Sequence, residues 1–349
     1  MMRRKKRETF LIVLLFVILR WTISPAVLCG QQQAKPDKGS SEVELGLAVK
    51  YTGDKGIEKD TAVLFTTGFE KEGLDGWWDI RNRDGIKFVD DISIVHSGSK
   101  CLQMTAVKGK DEGSDMKHTL TKGVDQLYMR FYCRFHKDTL GPHHFIIMGT
   151  HVKGWWANAG RRPPGDKGFW TNIEPPTDKR GWEFYTYWHK MRSWNNEDGT
   201  PNNPPEGNGR SFYGNTFVPD DQPTGLPRER WICVEIMMKT NTIGKSDGEQ
   251  AFWIDGKKMG HWKPGEPIGS WFRATFHTSG PFNIDPKPFE GYDWRSDPEL
   301  KLNHIILQWY ISKEHGQKAK VDENIVYFDD IVLATEYIGP QVKNISKKP

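Results

Sequence analysis

The stretch Tyr128-Met-Arg-Phe-Tyr-Cys-Arg-Phe135 decides the fold class. Successive side chains of a β-strand point to opposite faces. Tyr128, Arg130, Tyr132 and Arg134 therefore share one face, and Met129, Phe131, Cys133 and Phe135 share the other. The second set is wholly apolar and belongs between two sheets. The first set interleaves two arginines with two tyrosines, which supplies carboxylate forks and flat stacking platforms together. It reads either as a ligand-binding surface or as a solvated face with Arg laid over Tyr.

Working outward, short apolar or alternating runs recur from residue 61 onward between clusters of Gly, Pro, Asn and Asp, and no segment holds a helical period for three turns. That pattern is the mark of a sandwich or barrel. Strands are expected at 62–65, 92–95, 100–106, 127–135, 144–149, 182–188, 231–240, 250–254, 301–311 and 325–334, enough for two packed sheets. Asp255-Gly256, between Phe252-Trp-Ile and Lys-Lys-Met, is a hairpin signal. Residues 193–227 form a long excursion dense in Asn, Pro, Gly and Asp, and loops of that length are usually functional or disordered.

Several other expected strands repeat the polar, aromatic face. Glu183, Tyr185, Tyr187 and His189 share one side of their strand, as do His304, Ile306, Gln308 and Tyr310. In the strand from Trp231, Cys233, Glu235, Met237 and Lys239 lie opposite Ile232, Val234, Ile236 and Met238. As neighbours in one concave sheet these strands would make a groove for an extended hydroxylated chain. His143 and His144 follow Gly141-Pro142 into an apolar strand, so one of them is expected to point into that groove. No HExxH, paired-Cys or close His/carboxylate triplet is present, which argues against transition-metal catalysis.

The ends of the chain differ from its body. A basic block, Arg3 to Arg7, precedes the apolar run from Phe10 to Leu19, the order of a secretory signal peptide over residues 1–30. Arg20 ends the run well short of the roughly 20 residues a membrane span needs. Cys29, followed by a polar tether, is a candidate for lipid attachment, although Leu28 stands where such signals want Gly or Ala. Residues 31–60 read as a polar linker and 341–349 as a polar tail, which leaves 61–340 as the folded domain. The leader holds six basic residues against Glu8, or +5 of the formal +4, so the remainder carries about −1. Overall charge gives no support to nucleic-acid binding. Cys101, Cys133 and Cys233 remain after the leader, an odd number without CxxC spacing, and read as buried small side chains with at most one bridge.

A family resemblance rests on Gly68-Phe-Glu70, Ser97-Gly-Ser-Lys-Cys-Leu102, Trp231-Ile-Cys-Val-Glu235 with Asn241-Thr242, Asp247-Gly-Glu249, Trp253-Ile-Asp-Gly-Lys257 and the closing Phe328-Asp-Asp-Ile331. Together they resemble concanavalin-A-like jelly-roll proteins, and among these the polysaccharide lyases of the alginate and glucuronan lyase type and their exported relatives. The resemblance implies an all-β jelly-roll sandwich of two antiparallel sheets, an exported monomer, a polysaccharide partner and no organic cofactor. It also implies that Glu70, Asp329 and Asp330 meet at neighbouring terminal strands around a structural calcium ion; as bare residues they read equally as strand-end carboxylates.

Eliminative cleavage of a uronic-acid polymer needs a group that neutralises the carboxylate, a base for the proton on the carbon beside it, and an acid for the leaving oxygen. On the expected face Arg130 or Arg134, with Gln308 and a histidine, fill the first role. Tyr187 or Tyr185, assisted by His189 or His144, fill the others, with a nearby Arg lowering the Tyr pKa from about 10. Tyr128, Tyr132, Arg134, Tyr185, Lys239 and Tyr310 are expected to bind the sugar chain. Two alternatives stand beside this one. A non-catalytic lectin needs the same platforms without a proton-transfer pair. A glycoside hydrolase needs two carboxylates on one face, for which the chain has no ExDxE pattern, and Glu183 and Glu235 are the acids placed on central strands.

Overall fold

The computed structural model describes residues 45–155, 159–201, 211–220 and 222–342. The expected signal peptide, Cys29 and most of the tail lie outside the described residues, as does part of the 193–227 excursion. The strands are β1 (Val63–Thr67), β2 (Trp78–Arg81), β3 (Ile86–Val89), β4 (Cys101–Val107), β5 (Gly113–Val124), β6 (Gln126–Phe135), β7 (Ile146–Gly149), β8 (Trp170–Glu174) and β9 (Glu183–Tyr187). They continue as β10 (Asn215–Phe217), β11 (Trp231–Lys239), β12 (Glu249–Ile254), β13 (Lys257–Trp262), β14 (Ile268–Phe272), β15 (Thr275–His277), β16 (Lys287–Pro288), β17 (Leu302–Tyr310) and β18 (Glu323–Ala334).

Two sheets result. The eight-stranded one runs β13-β12-β11-β6-β18-β4-β3, with β1 also on β18, and the ten-stranded one runs β16-β14-β15-β10-β9-β8-β7-β17-β5-β2. All pairings are antiparallel except the short β10–β15 contact. The protein is thus an all-β jelly-roll sandwich. Its core lies between the sheets: Met129, Phe131, Cys133 and Phe135 from β6 and Ile232, Val234, Ile236 and Met238 from β11 meet Met116, Met148, Ile173, Phe184, Leu307 and Trp309 from the other sheet. The apolar face of β6 is where the alternation put it. The Asp255-Gly256 hairpin also forms, with both residues at positive φ (51° and 77°), the backbone such a two-residue turn demands. Cys101, Cys133 and Cys233 are all buried and free.

Two features depart from the sequence reading. Residues 92–95 are a turn, not a strand: Asp91 accepts from the amide and hydroxyl of Ser93, and its carbonyl takes the Ile94 amide, so the local Asx geometry outcompetes ladder pairing. Residues 45–60, the second half of the expected linker, form short 3-10 turns laid on the sandwich, with Leu47, Ala48 and Ile57 buried. With Ile338 they cover Val332 and Ala334 of β18.

That cover lies on the polar face of β6. Arg130 has no exposed surface and binds both carboxylate oxygens of Asp54, the Gly339 carbonyl (3.2 Å) and the Asp330 carbonyl (3.3 Å). Burial works against its charge, but Asp54 more than compensates and raises its pKa. Its cross-strand partner Glu235 accepts the amides of Ile338 (2.7 Å) and Gly339 (2.8 Å). One arginine and one glutamate thereby tie residues 45–60 and 336–342 to the same sheet. Removing one partner of a buried pair leaves the other uncompensated. Arg130→Met is expected to lose about 3–5 kcal/mol of stability in equilibrium urea unfolding, and Arg130→Met with Asp54→Leu to recover part of that loss.

Candidate functional site

Among the described residues no segment closes the face of the ten-stranded sheet that points away from the core as residues 45–60 close the other sheet, and the residues of this open face are set by strand register. In β8 and β9, Trp170 faces Tyr187, Asn172 faces Tyr185 and Glu174 faces Glu183. Ile147 of β7 sits between Asn172 and Ile306 of β17. Further along β17, Gln308 lies opposite Asp115 of β5, and Arg81 of β2 pairs with that carboxylate at 2.6 Å. Four residues of strand, about 13 Å, separate the two ends of this face.

The end at Trp170 is aromatic. Trp170 stacks on Tyr187 with centroids 4.5 Å apart, and Trp155 packs at 6.2 Å. With His151, His304, Ile147 and Ile306 these indoles line a cavity of about 130 Å3. Trp78 leans on both histidines. Thr119 Oγ1 is 2.8 Å from His304 Nδ1. Burial first, then the neighbouring His151 and Lys117, push His304 down to about 3, so this histidine is neutral.

The other end carries the titratable groups. His144 Nδ1 is 3.0 Å from Glu174 Oε1, and its ring lies between Tyr185 (5.2 Å) and Tyr310 (6.0 Å, stacked). The Tyr185 and Tyr187 hydroxyls are 3.4 Å apart. Burial raises the pKa of both phenols, with Tyr185 adding to the rise at Tyr187. They keep their protons at neutral pH. Glu183, 5 % exposed, binds Arg180 at 2.5 Å, and Glu174 is 8 % exposed. Burial raises the pKa of Glu174, and burial with Glu174 beside it raises Glu183 to about 7.

The sheets divide the residues expected to act together. Tyr185, Tyr187, His144, Gln308 and Tyr310 share the open face. His189 continues the same alternation but lies past the end of β9, with Nδ1 on the Trp294 carbonyl (3.3 Å) and Nε2 3.8 Å from Asp293, away from the His144 end. Arg130, Tyr128, Tyr132, Arg134 and Lys239 are across the core, on the eight-stranded sheet. Arg130 is enclosed as described, and Tyr128 packs on Trp253 and Tyr337. Tyr132 stacks on His96 and accepts the Gln341 amide. Arg134 donates to the Ser93 carbonyl, and Lys239 pairs with Glu249. The expected effect of an arginine on the tyrosines is absent because these arginines stand on the far sheet. Asn172 and Glu174 were missed because β8 is short and polar, and Trp170 because a lone Trp-Thr-Asn shows no alternation.

The acidic residues of the terminal strands regroup. Among the described residues, the donor atoms of His96, Asp329 and Asp330 lie within 4.8 Å of one another. His96 Nδ1 is 2.7 Å from Asp330, and Asp329 accepts the His96 and Ser97 amides. Glu70 stands apart from that trio, accepting the Ser99 amide and hydroxyl. Both clusters flank one loop, since the Ser97 hydroxyl reaches Asp330 at 2.9 Å. Burial, then Asp330 beside it, push Asp329 up to about 8.

Fold and face define a jelly-roll protein with an aromatic cleft and a histidine–carboxylate dyad beside two tyrosines. No family model and no curated protein matches the chain. Among solved structures it is similar to a marine alginate lyase from Aplysia kurodai (14% identity, 80% of this chain and 99% of that one, TM-score 0.49). It is also similar to an alginate lyase from Chlorella virus (17%, 78% and 99%, 0.48) and to an endo-β-1,4-glucuronan lyase from the fungus Trichoderma reesei (14%, 78% and 95%, 0.45). Similarity this distant assigns no chemistry to the cleft.

A carboxyl whose folded pKa is raised binds a proton that the unfolded chain has already lost. For Glu183 that window runs from its ordinary 4.5 to about 7, and stability falls as pH rises through it. Glu183→Gln is expected to flatten this slope, and to be more stabilising at pH 8 than at pH 5 by on the order of 2–3 kcal/mol. Urea unfolding at both pH values measures it.

Proposed function

We propose that this is an exported polysaccharide lyase that cleaves a uronic-acid-containing polymer by β-elimination on the open face of the ten-stranded sheet. The observation that carries the reading is the Glu174–His144–Tyr185 arrangement, a carboxylate-oriented imidazole against a phenol that holds its proton. A sugar ring stacks on Trp170, as apolar ring faces do on aromatic platforms.

In the elimination, His144 Nε2 takes the proton from the carbon beside the carboxylate, while Glu174 on Nδ1 holds the ring and stabilises the imidazolium. The electron pair of that C–H bond forms the new double bond as the adjacent C–O bond breaks. Tyr185 gives its hydroxyl proton to the departing oxygen, and the Tyr187 hydroxyl supports the phenolate that results. Gln308, two residues before Tyr310 on the same face, is the amide we assign to the substrate carboxylate, the role first expected of Arg130. Each proton-transfer group contributes about 10²–10⁴ in rate.

Incubation with a panel of uronate polymers is expected to raise ultraviolet absorbance near the C=C chromophore, with Tyr185→Phe and His144→Ala each lowering kcat about 10²-fold or more while retaining retardation in affinity gels. Retardation with no absorbance rise on any polymer would make the protein a lectin. New reducing ends without absorbance would point to hydrolysis by the facing Glu174 and Glu183 instead.

A structural calcium ion at Asp329 and Asp330 belongs to the same proposal. The fit is one of charge: two carboxylates are buried side by side, with the His96 nitrogen as the third donor and the expected Glu70 apart from them. Calcium would supply that charge and tie the terminal strand β18 to the 96–99 loop, outside the chemistry. Millimolar calcium is expected to raise Tm and Asp329→Asn to abolish the rise; an unchanged Tm removes the ion.

A further inference from the structure

Among the described residues, three buried acceptor atoms on the open face have no hydrogen-bond partner: Asn172 Oδ1, Glu174 Oε2 and Glu183 Oε2. Their residues are 3 %, 8 % and 5 % exposed. They are neighbours by construction, since Asn172 and Glu174 alternate on β8 and Glu174 faces Glu183 on β9. His144 uses only Oε1 of Glu174, and Arg180 only Oε1 of Glu183. Buried acceptors left unmatched are costly and are rare in folded proteins. Elsewhere on this face the charged groups are matched, Arg81 with Asp115 and Lys117 with Asp79.

The chemistry that would satisfy three acceptors in a row is a set of O–H or amide N–H donors. A second carboxylate is the group they exclude, because it brings acceptors alone and a like charge. We infer that Asn172, Glu174 and Glu183 form a subsite for an uncharged sugar next to the reacting uronate, so that the substrate is a mixed polymer carrying a neutral unit beside each uronate and not a homopolyuronate. This rests on the elimination reading for the uronate itself. The subsite adjoins the reacting groups, since Asn172 faces Tyr185 and Glu174 holds His144. Along the strands the Trp170–Tyr187 stack lies about 7 Å from Asn172 and about 13 Å from Glu174 and Glu183. Glu183 holds its proton up to about 7, so its charge works against a substrate carboxylate above that pH, where the comparison is made.

The test compares initial absorbance rates on hyaluronan and unsulfated chondroitin, where uronate alternates with an N-acetylated hexosamine, with those on alginate and glucuronan, where every unit is a uronate. Wild-type kcat/KM is expected to be at least tenfold higher on the alternating polymers. Glu183→Gln, which removes the charge and keeps the shape, is expected to narrow that ratio at least threefold, chiefly by lowering KM for the homopolyuronates. Equal or faster cleavage of alginate or glucuronan by the wild type overturns the inference and leaves the lyase standing, as does a ratio that Glu183→Gln does not move. If no polymer is cleaved, the elimination reading fails separately, and affinity electrophoresis decides the subsite. Retardation by the alternating polymers alone supports it; retardation by homopolyuronates, or by none, overturns it.

Discussion

A fully buried guanidinium has to be met by an opposite charge, and Arg130 is met by Asp54. The rest of the eight-stranded sheet follows from that requirement. A solvated Arg130 would leave the polar face of β6 bare, and with it Tyr132, Val332 and Ala334, all of which are buried. Asp54 comes from a segment without sheet structure, and Glu235 gathers the amides of the segment after β18. The sandwich therefore has one face closed by its own chain. Among the described residues the other carries the aromatic cleft.

This asymmetry puts the cleft where it is. Both sheets alternate apolar and polar residues, and the polar rows look alike in composition: Tyr128, Arg130, Tyr132 and Arg134 on one, Glu183, Tyr185 and Tyr187 on the other. On the closed sheet Arg130, Tyr132, Arg134, Glu235 and Lys239 are each bonded to the covering chain or to a neighbour. On the open sheet the phenols, His144 and the carboxyls face one another across short strands, and acceptors remain unmatched. Low dielectric and crowding then raise the pKa of Glu174, Glu183, Tyr185 and Tyr187 together. The face is consequently rich in proton donors.

The fold was largely legible because period-two alternation in β6, β11 and β17 reports core and non-core faces directly, and because Asp255-Gly256 requires one type of turn. Which sheet a polar face belongs to is not a local property. Arg130 and Tyr187 have equivalent patterns, and only the long-range pairing of β6 with β18, and of β9 with β8, separates them. Strands lining the cleft were the hardest to see. Trp170–Glu174 and Gly113–Val124 carry Asn, Asp, Glu, Gly and Lys, residues that strands otherwise disfavour. They are tolerated there because one face of each strand is polar by purpose while the other, through Ile173 and Met116, still reaches the core.

The covering segments bring the two ends of the described chain together: the Leu47 and Ala48 amides bind the Tyr337 and Ile338 carbonyls at 3.0 and 2.8 Å. Both ends thus emerge on the back of the molecule, a full sandwich thickness from the aromatic cleft. In a chain cut to residues 45–342, a fusion partner, a bead or a surface coupled through either end would hold the cleft outward. The adjacency also makes residues 45–342 a candidate for circular permutation, with those two ends joined over the Arg130 clamp and new ones opened in a turn such as Asp255-Gly256.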